Sequence, residues 1–246
     1  MIIADQILDG RSAVLAATGD HPYARHSLGR DGEPRGWRRD GAVVWLLPAG
    51  QRPTVAALGA AGPVLDVCAD LVAEGVLGAG RWLNLPRLDP ADLTGRLPVA
   101  QHDEWYFLWT TEAPPHQPGE EEVVRLTEAD HPALTALIDE AFPSTTSRPG
   151  APGVVGWYGI RDGDRLVACG ADRSRGDLGF LAGLTVAPQQ RGRGLGAALT
   201  AAMTRAMLAR YDHAALGVYP VNVGAIRLYR RLGFTNTATR NSVRLA

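Results

Sequence analysis

Apolar positions recur along this chain in two rhythms. Leu195, Leu199, Ala202, Met203 and Ala206 follow one another at three- and four-residue steps, the spacing of one buried helix face, and predict a helix over Ala197–Arg210. Val64–Glu74 predicts a second helix, and Leu134, Leu137, Ile138 and Ala141 a third. Thr127 and Asp130 stand at capping-box spacing ahead of that third helix. Short apolar runs predict strands at Ala42–Leu47, Arg81–Leu85, Trp105–Trp109, Glu122–Leu126, Phe180–Val186 and Ala214–Tyr219. Val154–Arg161 and Arg165–Ala171 flank Asp162-Gly163, a hairpin signal. Another turn is expected near Ser174–Asp177, and Asn236–Thr237 is expected to turn the chain into a final strand, Thr239–Leu245. At the start, Ala4–Thr18 reads as a helix and the Arg-, Gly- and Asp-rich span His21–Gly41 as an exposed loop.

Thr111–Gly119 holds three prolines in nine residues, which continue neither helix nor sheet and favour an extended connection. The expected organisation is therefore an N-terminal α/β domain over residues 1–111, a Pro-rich linker over 112–120 and a second domain over 121–246.

At 246 residues the chain is long enough for one large or two small cores. A net charge of -1 with 46% apolar residues describes a soluble globular protein with no nucleic-acid or membrane partner. No apolar run reaches membrane-spanning length. Cys68 and Cys169 lie far apart in apolar settings, as reduced core thiols of a cytoplasmic protein would. The six histidines show no ligand spacing, so no metal is expected. Five of the six tryptophans (Trp37, Trp45, Trp82, Trp105 and Trp109) fall in the first domain, where packing accounts for them better than a ligand wall does.

Chemistry concentrates between the Phe180–Val186 strand and the helix after it. Arg191, Gly192, Arg193, Gly194, Leu195 and Gly196 sit where strand passes to helix, so the first helical N–H groups lack intrachain partners and, with the helix dipole, favour a phosphate. A Walker loop is excluded because it needs a lysine, and all 25 basic side chains are arginine. A dinucleotide fingerprint is excluded because the spacing from Gly192 is G-x-G-x-G and no acidic residue stands at the required distance.

The segment resembles the GNAT superfamily of acyl-CoA-dependent acetyltransferases. Arg191, Gly194 and Gly196 occupy the family's signature of arginine or glutamine, two free positions, glycine, one free position and a small residue, with Val186 and Pro188 upstream. A second signature follows in order through Asn222, Ala225, Tyr229 and Gly233-Phe234. The resemblance covers the C-terminal half and implies a mixed, mostly antiparallel sheet flanked by helices. The strand, loop, helix and strand order from Ala42 to Leu85 is similar to the family's cofactor half, but Gln51–Gly62 has lost the arginine and glycine spacing, so a degenerate GNAT-like domain that does not bind CoA is expected.

The implied reaction moves an acetyl group from acetyl-CoA to a primary amine of a small molecule or peptide. A lysine-like amine is neutral in only about one molecule in a thousand near pH 7 and must lose a proton first. The resemblance assigns the backbone N–H of Leu184 to the oxyanion, Thr185 and Val186 to the pantetheine arm, and the Arg191–Gly196 loop to the pyrophosphate. It further assigns Asn222 and Ala225 to the cofactor and Tyr229 to protonation of the departing thiolate. Many relatives carry a glutamate base where this chain has Phe180, which leaves open a water-relayed base, an acceptor that arrives neutral, or a CoA-binding sensor without turnover. Asp172 and Asp177 are close in sequence but lie in expected turns. Family members often pair, so a homodimer stays open.

Overall fold

The computed structural model describes residues 5–30, 33–47 and 54–246. The chain divides into two compact units, Met1–Phe107 with Ala238–Ala246, and Leu108–Thr237.

In the second unit, β7 (Val124–Leu126), β8 (Gly156–Asp162), β9 (Arg165–Asp172) and β10 (Gly179–Val186) pair antiparallel in sequence order. The chain then crosses through α6 (Leu195–Leu208) to β11 (Ala214–Val218), which lies parallel to β10. Between β7 and β8 runs α5 (His131–Ala141), and after β11 comes α7 (Val223–Arg231). The Thr127 and Asp130 capping box forms as its spacing predicts, with Asp130 accepting the Thr127 N–H at 2.7 Å. Leu134, Leu137 and Ile138 of α5 pack with Trp157, Leu166, Cys169 and Ala171 into one core.

Helix α6 buries Leu199 and Met203 as its periodicity predicts, but the buried face is rotated to include Thr200, Thr204 and Met207. Both threonines satisfy their hydroxyls within the helix, Thr200 donating to the Gly196 carbonyl and Thr204 to the Thr200 carbonyl, each at 2.7 Å. The segment 111–119 has no regular structure, yet it is held to α6: Arg205 donates to Glu120 at 3.0 Å and to the carbonyl of Pro114.

The first unit contains β1 (Gln6–Asp9), α1 (Arg11–Ala17), α2 (Pro22–Ser27), β2 (Arg35–Arg39), β3 (Ala42–Leu46), β4 (Val55–Leu58), α3 (Ala61–Ala73), β5 (Trp82–Pro86) and α4 (Pro90–Arg96). β6 (Val99–Thr110) carries the chain onward, and β12 (Asn236–Leu245) returns to this unit. β1 to β4 pair antiparallel in order, and β4 pairs parallel with β5 through α3. This is the topology of β7 to β11 repeated: four antiparallel strands, then a parallel strand reached over a helix.

Several expectations are corrected. The helix expected over Ala4–Thr18 is a strand and a shorter helix, because Gly10 takes φ 83° between them; Ala4 lies outside the described residues. His21–Gly41 is not an exposed loop. Pro22 opens α2, the His21 imidazole accepts the Tyr23 N–H at 3.0 Å, and Tyr23, Leu28 and Trp37 are buried. Within Gln51–Gly62, Val55–Leu58 forms β4, while Gln51–Pro53 lies outside the described residues. No turn breaks the chain at Asn236–Thr237, where β12 already begins.

The unit boundary also departs from the linker-based division at 111 and 121. β12 belongs with the first unit because Arg240–Arg244 pair antiparallel with Trp82–Pro86 of β5, and Val243 and Leu245 enter that unit's core. Tyr23, Trp45, Trp105 and Phe107 form an aromatic cluster there, with Phe107 edge-on to Tyr23 at 5.4 Å. Arg240 is 1% exposed, lies 3.7 Å over the Tyr23 ring and donates to the carbonyls of Ala57 and Asn84, each at 2.8 Å.

Candidate functional site

The site grows from a defect in the sheet of the second unit. β10 pairs with β9 at Ala182↔Ala171 and resumes at Thr185↔Cys169, so Gly183 and Leu184 oppose Gly170 alone. Such a bulge leaves a residue out of the ladder and re-aims its backbone. Gly183 takes φ +58°, the left-handed conformation that a side chain would strain. On its other edge β10 pairs with β11 only over Gly179–Leu181. Beyond Leu181 the parallel strands show no pairing, and a cleft occupies the space after the switch from antiparallel to parallel order, where α/β sheets commonly bind ligands.

That cleft encloses about 890 Å³ and is lined by Leu184, Thr185 and Val186 of β10, by Arg191, Gly192, Gly194, Leu195 and Gly196, and by Asn222 and Ala225. Pro188–Gln190 makes a single 3-10 turn, and Gly194 is the helix N-cap with φ 85°. Ala197 and Ala198 donate to the Gly194 carbonyl at 2.9 and 3.0 Å, so the N–H groups ahead of them are the helix's unpaired donors. A Cβ built on Gly192 or Gly194 meets nothing within 4 Å, which describes an open backbone cradle. A pyrophosphate with its attached chain fits this donor set, since free amides, the helix dipole and arginine all favour an anion.

A second cleft of about 420 Å³ adjoins the first at Phe142, Leu184 and Asn222. Its walls include Ser144–Ser147, Phe180, Tyr219 and Tyr229. Tyr229 is 8% exposed, packs edge-on against Phe234 at 6.2 Å, and burial pushes its phenol up to about 12. The phenol therefore holds its proton throughout the neutral range.

The structure gathers the sequence-derived residues unevenly. Leu184, Thr185, Val186, Arg191, Gly192, Gly194, Leu195, Gly196, Asn222 and Ala225 share the first cleft, while Tyr229 lines only the adjoining one. Arg193 lines neither, because its guanidinium is held by Gln190, whose amide in turn reaches Asp162 at 3.3 Å. Asn222 caps α7 by accepting the Ala225 N–H at 3.2 Å, so its side-chain oxygen has a structural partner. Asp172 is fully buried, accepting the Ser174 N–H at 2.9 Å and Arg210 at 3.1 Å. Its carboxylate serves the β9–β10 turn.

Sequence reasoning missed Leu228 and Arg231, which line the first cleft one and two helical turns beyond Gly224 and Ala225. Their i, i+3 and i+4, i+7 spacing on one face of α7 was the available signal.

At the matching place in the first unit, the described residues form a closed turn. β4 passes to α3 through Gly59-Ala60, and a Cβ on Gly59 would stand 2.6 Å from Cα of Ala42. The turn is too short and too closed for a phosphate. Among the described residues, no group of three or more His, Cys, Asp or Glu side chains is placed to hold a metal, and no helix is long and apolar enough to cross a membrane.

Residues 157–244 match the family model of FR47-like proteins. No curated protein matches the sequence. Among solved structures, a GNAT-family protein from Novosphingobium aromaticivorans is similar at 24% identity, covering 93% of this chain and 94% of that one with a TM-score of 0.57. An acetyltransferase from the GNAT family of Colwellia psychrerythraea is similar at 12% identity over 98% and 100% of the two chains, with a TM-score of 0.55. A GCN5-related N-acetyltransferase-like protein from Streptococcus suis is similar at 12% identity over 95% and 98%, with a TM-score of 0.55. At these identities the likeness establishes the fold. The chain therefore has the fold of these GNAT-family structures, with the FR47-like match confined to residues 157–244.

Proposed function

We propose that the protein is an acyl-CoA-dependent N-acetyltransferase that moves an acetyl group from acetyl-CoA to an amine of a small molecule or peptide. The observation that carries this reading is the continuity of the two clefts at Leu184: a glycine-cradled helix entrance at one end, a bulged strand in the middle and a buried phenol at the other.

In this reading, Gly192, Gly194, Leu195 and Gly196 present backbone donors to the pyrophosphate, with Arg191 and Arg231 adding positive charge. Arg193 acts at one remove, bracing the loop through Gln190. Thr185, Val186, Asn222 and Ala225 flank the pantetheine arm. The Leu184 N–H meets the oxygen on which negative charge develops. Tyr229 supplies a proton to the departing sulfur, a role suited to a phenol that burial keeps protonated.

A CoA-binding sensor without turnover is the second reading. It is favoured by Phe180, which puts a ring where a base would stand. Calorimetry with CoA, followed by thiol release across an amine panel, separates the two. Binding with release supports the enzyme, and binding without release supports the sensor.

A further inference from the structure

The cleft on the acceptor side is unusual in what its walls lack. Among the described residues that line it, none is aspartate, glutamate, histidine or arginine. The walls are hydroxyls, from Ser144 to Ser147, and rings, from Phe142, Phe180, Tyr219 and Tyr229. Two of its rings are exposed: Phe142 is 38% accessible and Tyr219 56%.

Of the charged groups on the elements around it, Asp172, Asp139, Glu140 and Arg230 are engaged elsewhere and Arg173 has the wrong sign for an ammonium. Asp172 at the end of β9 is buried against Arg210 and Ser174. Asp139 on α5 holds Arg148, which also donates to the Pro143 carbonyl. On α7, Arg230 bonds Thr235 and Thr237, and Arg231 faces the other cleft. Arg173 does touch the wall, its guanidinium 3.5 Å from the Ser147 hydroxyl and 3.0 Å from the Pro152 carbonyl. An ammonium entering here would lose its water, meet no counter-charge and approach a cation.

Resting on the acetyl-transfer reading above, we infer that the acceptor is an amine already uncharged at neutral pH, an arylamine or similarly weak base carried on a flat apolar body. Such an acceptor removes the need for the missing base. The nitrogen lone pair forms the C–N bond at the thioester carbonyl carbon as the carbonyl electrons move to oxygen beside the Leu184 N–H. When the carbonyl reforms, the C–S bond breaks and its electron pair stays on sulfur. Tyr229 gives its proton to that sulfur, and its phenolate recovers the surplus proton from the acylated nitrogen, directly or across one water. One proton leaves nitrogen, one reaches sulfur, and amine plus thioester become amide plus thiol.

The test compares aniline with benzylamine, two acceptors of similar shape and very different basicity. CoA thiol release is followed from pH 6 to 9, and calorimetry measures CoA binding to the same protein and each amine's binding to the CoA complex. The expected aniline rate is flat with pH, while the benzylamine rate climbs about tenfold per pH unit with its neutral fraction. At pH 7 aniline should exceed benzylamine by at least a hundredfold in kcat/KM and should bind more tightly. Equal use of both at pH 7, or a benzylamine profile that levels off below that amine's own pKa, reveals a protein base and overturns the inference. CoA binding with no release from either amine overturns it too while leaving the cofactor site standing, and failure to bind CoA overturns the reading beneath it.

Discussion

Gly183 and Ser147 meet at the bulge of β10: a Cβ on Gly183 would lie 2.9 Å from the Cβ of Ser147. The bulge backbone and the Ser/Thr loop thus seat each other, and Gly183 also needs its φ of +58°. Gly183→Ala should lower stability by about 1–3 kcal/mol through left-handed strain and overpacking. Thiol release should fall at least tenfold with CoA affinity nearly unchanged. Urea unfolding, calorimetry and turnover on one preparation check this, and unaltered turnover would remove the bulge from the mechanism.

Tyr229→Phe should lower turnover by roughly a hundredfold or more, the usual range for a lost general acid, with CoA affinity held within a few-fold. Because burial raises this phenol to about 12, it contributes no alkaline loss of activity between pH 7 and 10. A pH–rate profile in which the parent protein loses, between pH 8 and 10, a phase that the variant lacks would contradict the assignment.

Gly194→Val should abolish measurable CoA binding. The N-cap residue sits at φ 85°, and a branched side chain would both strain that conformation and cover the amides of the cradle. Calorimetry showing unchanged affinity in a folded variant would sink the loop assignment.

Cys68 and Cys169 are both buried, and burial raises each thiol from 9.0 to about 12. A raised folded-state pKa means that the associated stability is fully present below the unfolded thiol's value and is lost as pH climbs towards the folded value. Unfolding free energy should therefore decline above pH 9, approaching about 1.4 kcal/mol per pH unit for each thiol. Cys68→Ala should flatten that decline by one thiol's share, read from urea titrations at pH 7.5, 9 and 10.

Deleting residues 238–246 should unfold the first unit. Val243 and Leu245 are essentially fully buried in its core, and Asn241 accepts the Leu88 N–H at 2.9 Å. Near-ultraviolet dichroism from the Tyr23, Trp45 and Trp105 cluster should collapse, and limited proteolysis should cut between Arg35 and Arg96. A truncated protein retaining both protections would show β12 to be dispensable.

The loop and helix of the site were legible because their signals are local. Glycines at 192, 194 and 196 mark an open backbone, and the three- and four-residue period of Leu195–Met203 fixes the helix that follows. Tyr229 and Asn222 came with a motif that fits inside a single helix. What escaped was either masked by composition or nonlocal. The polar letters of His21–Gly41 hid Tyr23 and Trp37, whose burial depends on partners elsewhere in the first unit. β4 is only four residues, and its parallel partner β5 lies beyond a whole helix. The bulge at Gly183 follows from register against β9, and β12 was read as closing the second domain because its partner β5 is about 150 positions away.

That distance has a consequence for how the molecule is made. During translation, β5 leaves the ribosome with an open edge, and the whole span of Leu108–Thr237 must be synthesised before Arg240–Arg244 can cover it. The first unit therefore matures second, after Leu108–Thr237 has had the chance to fold, and a nascent chain stalled within that span exposes a pairing edge for chaperones to guard.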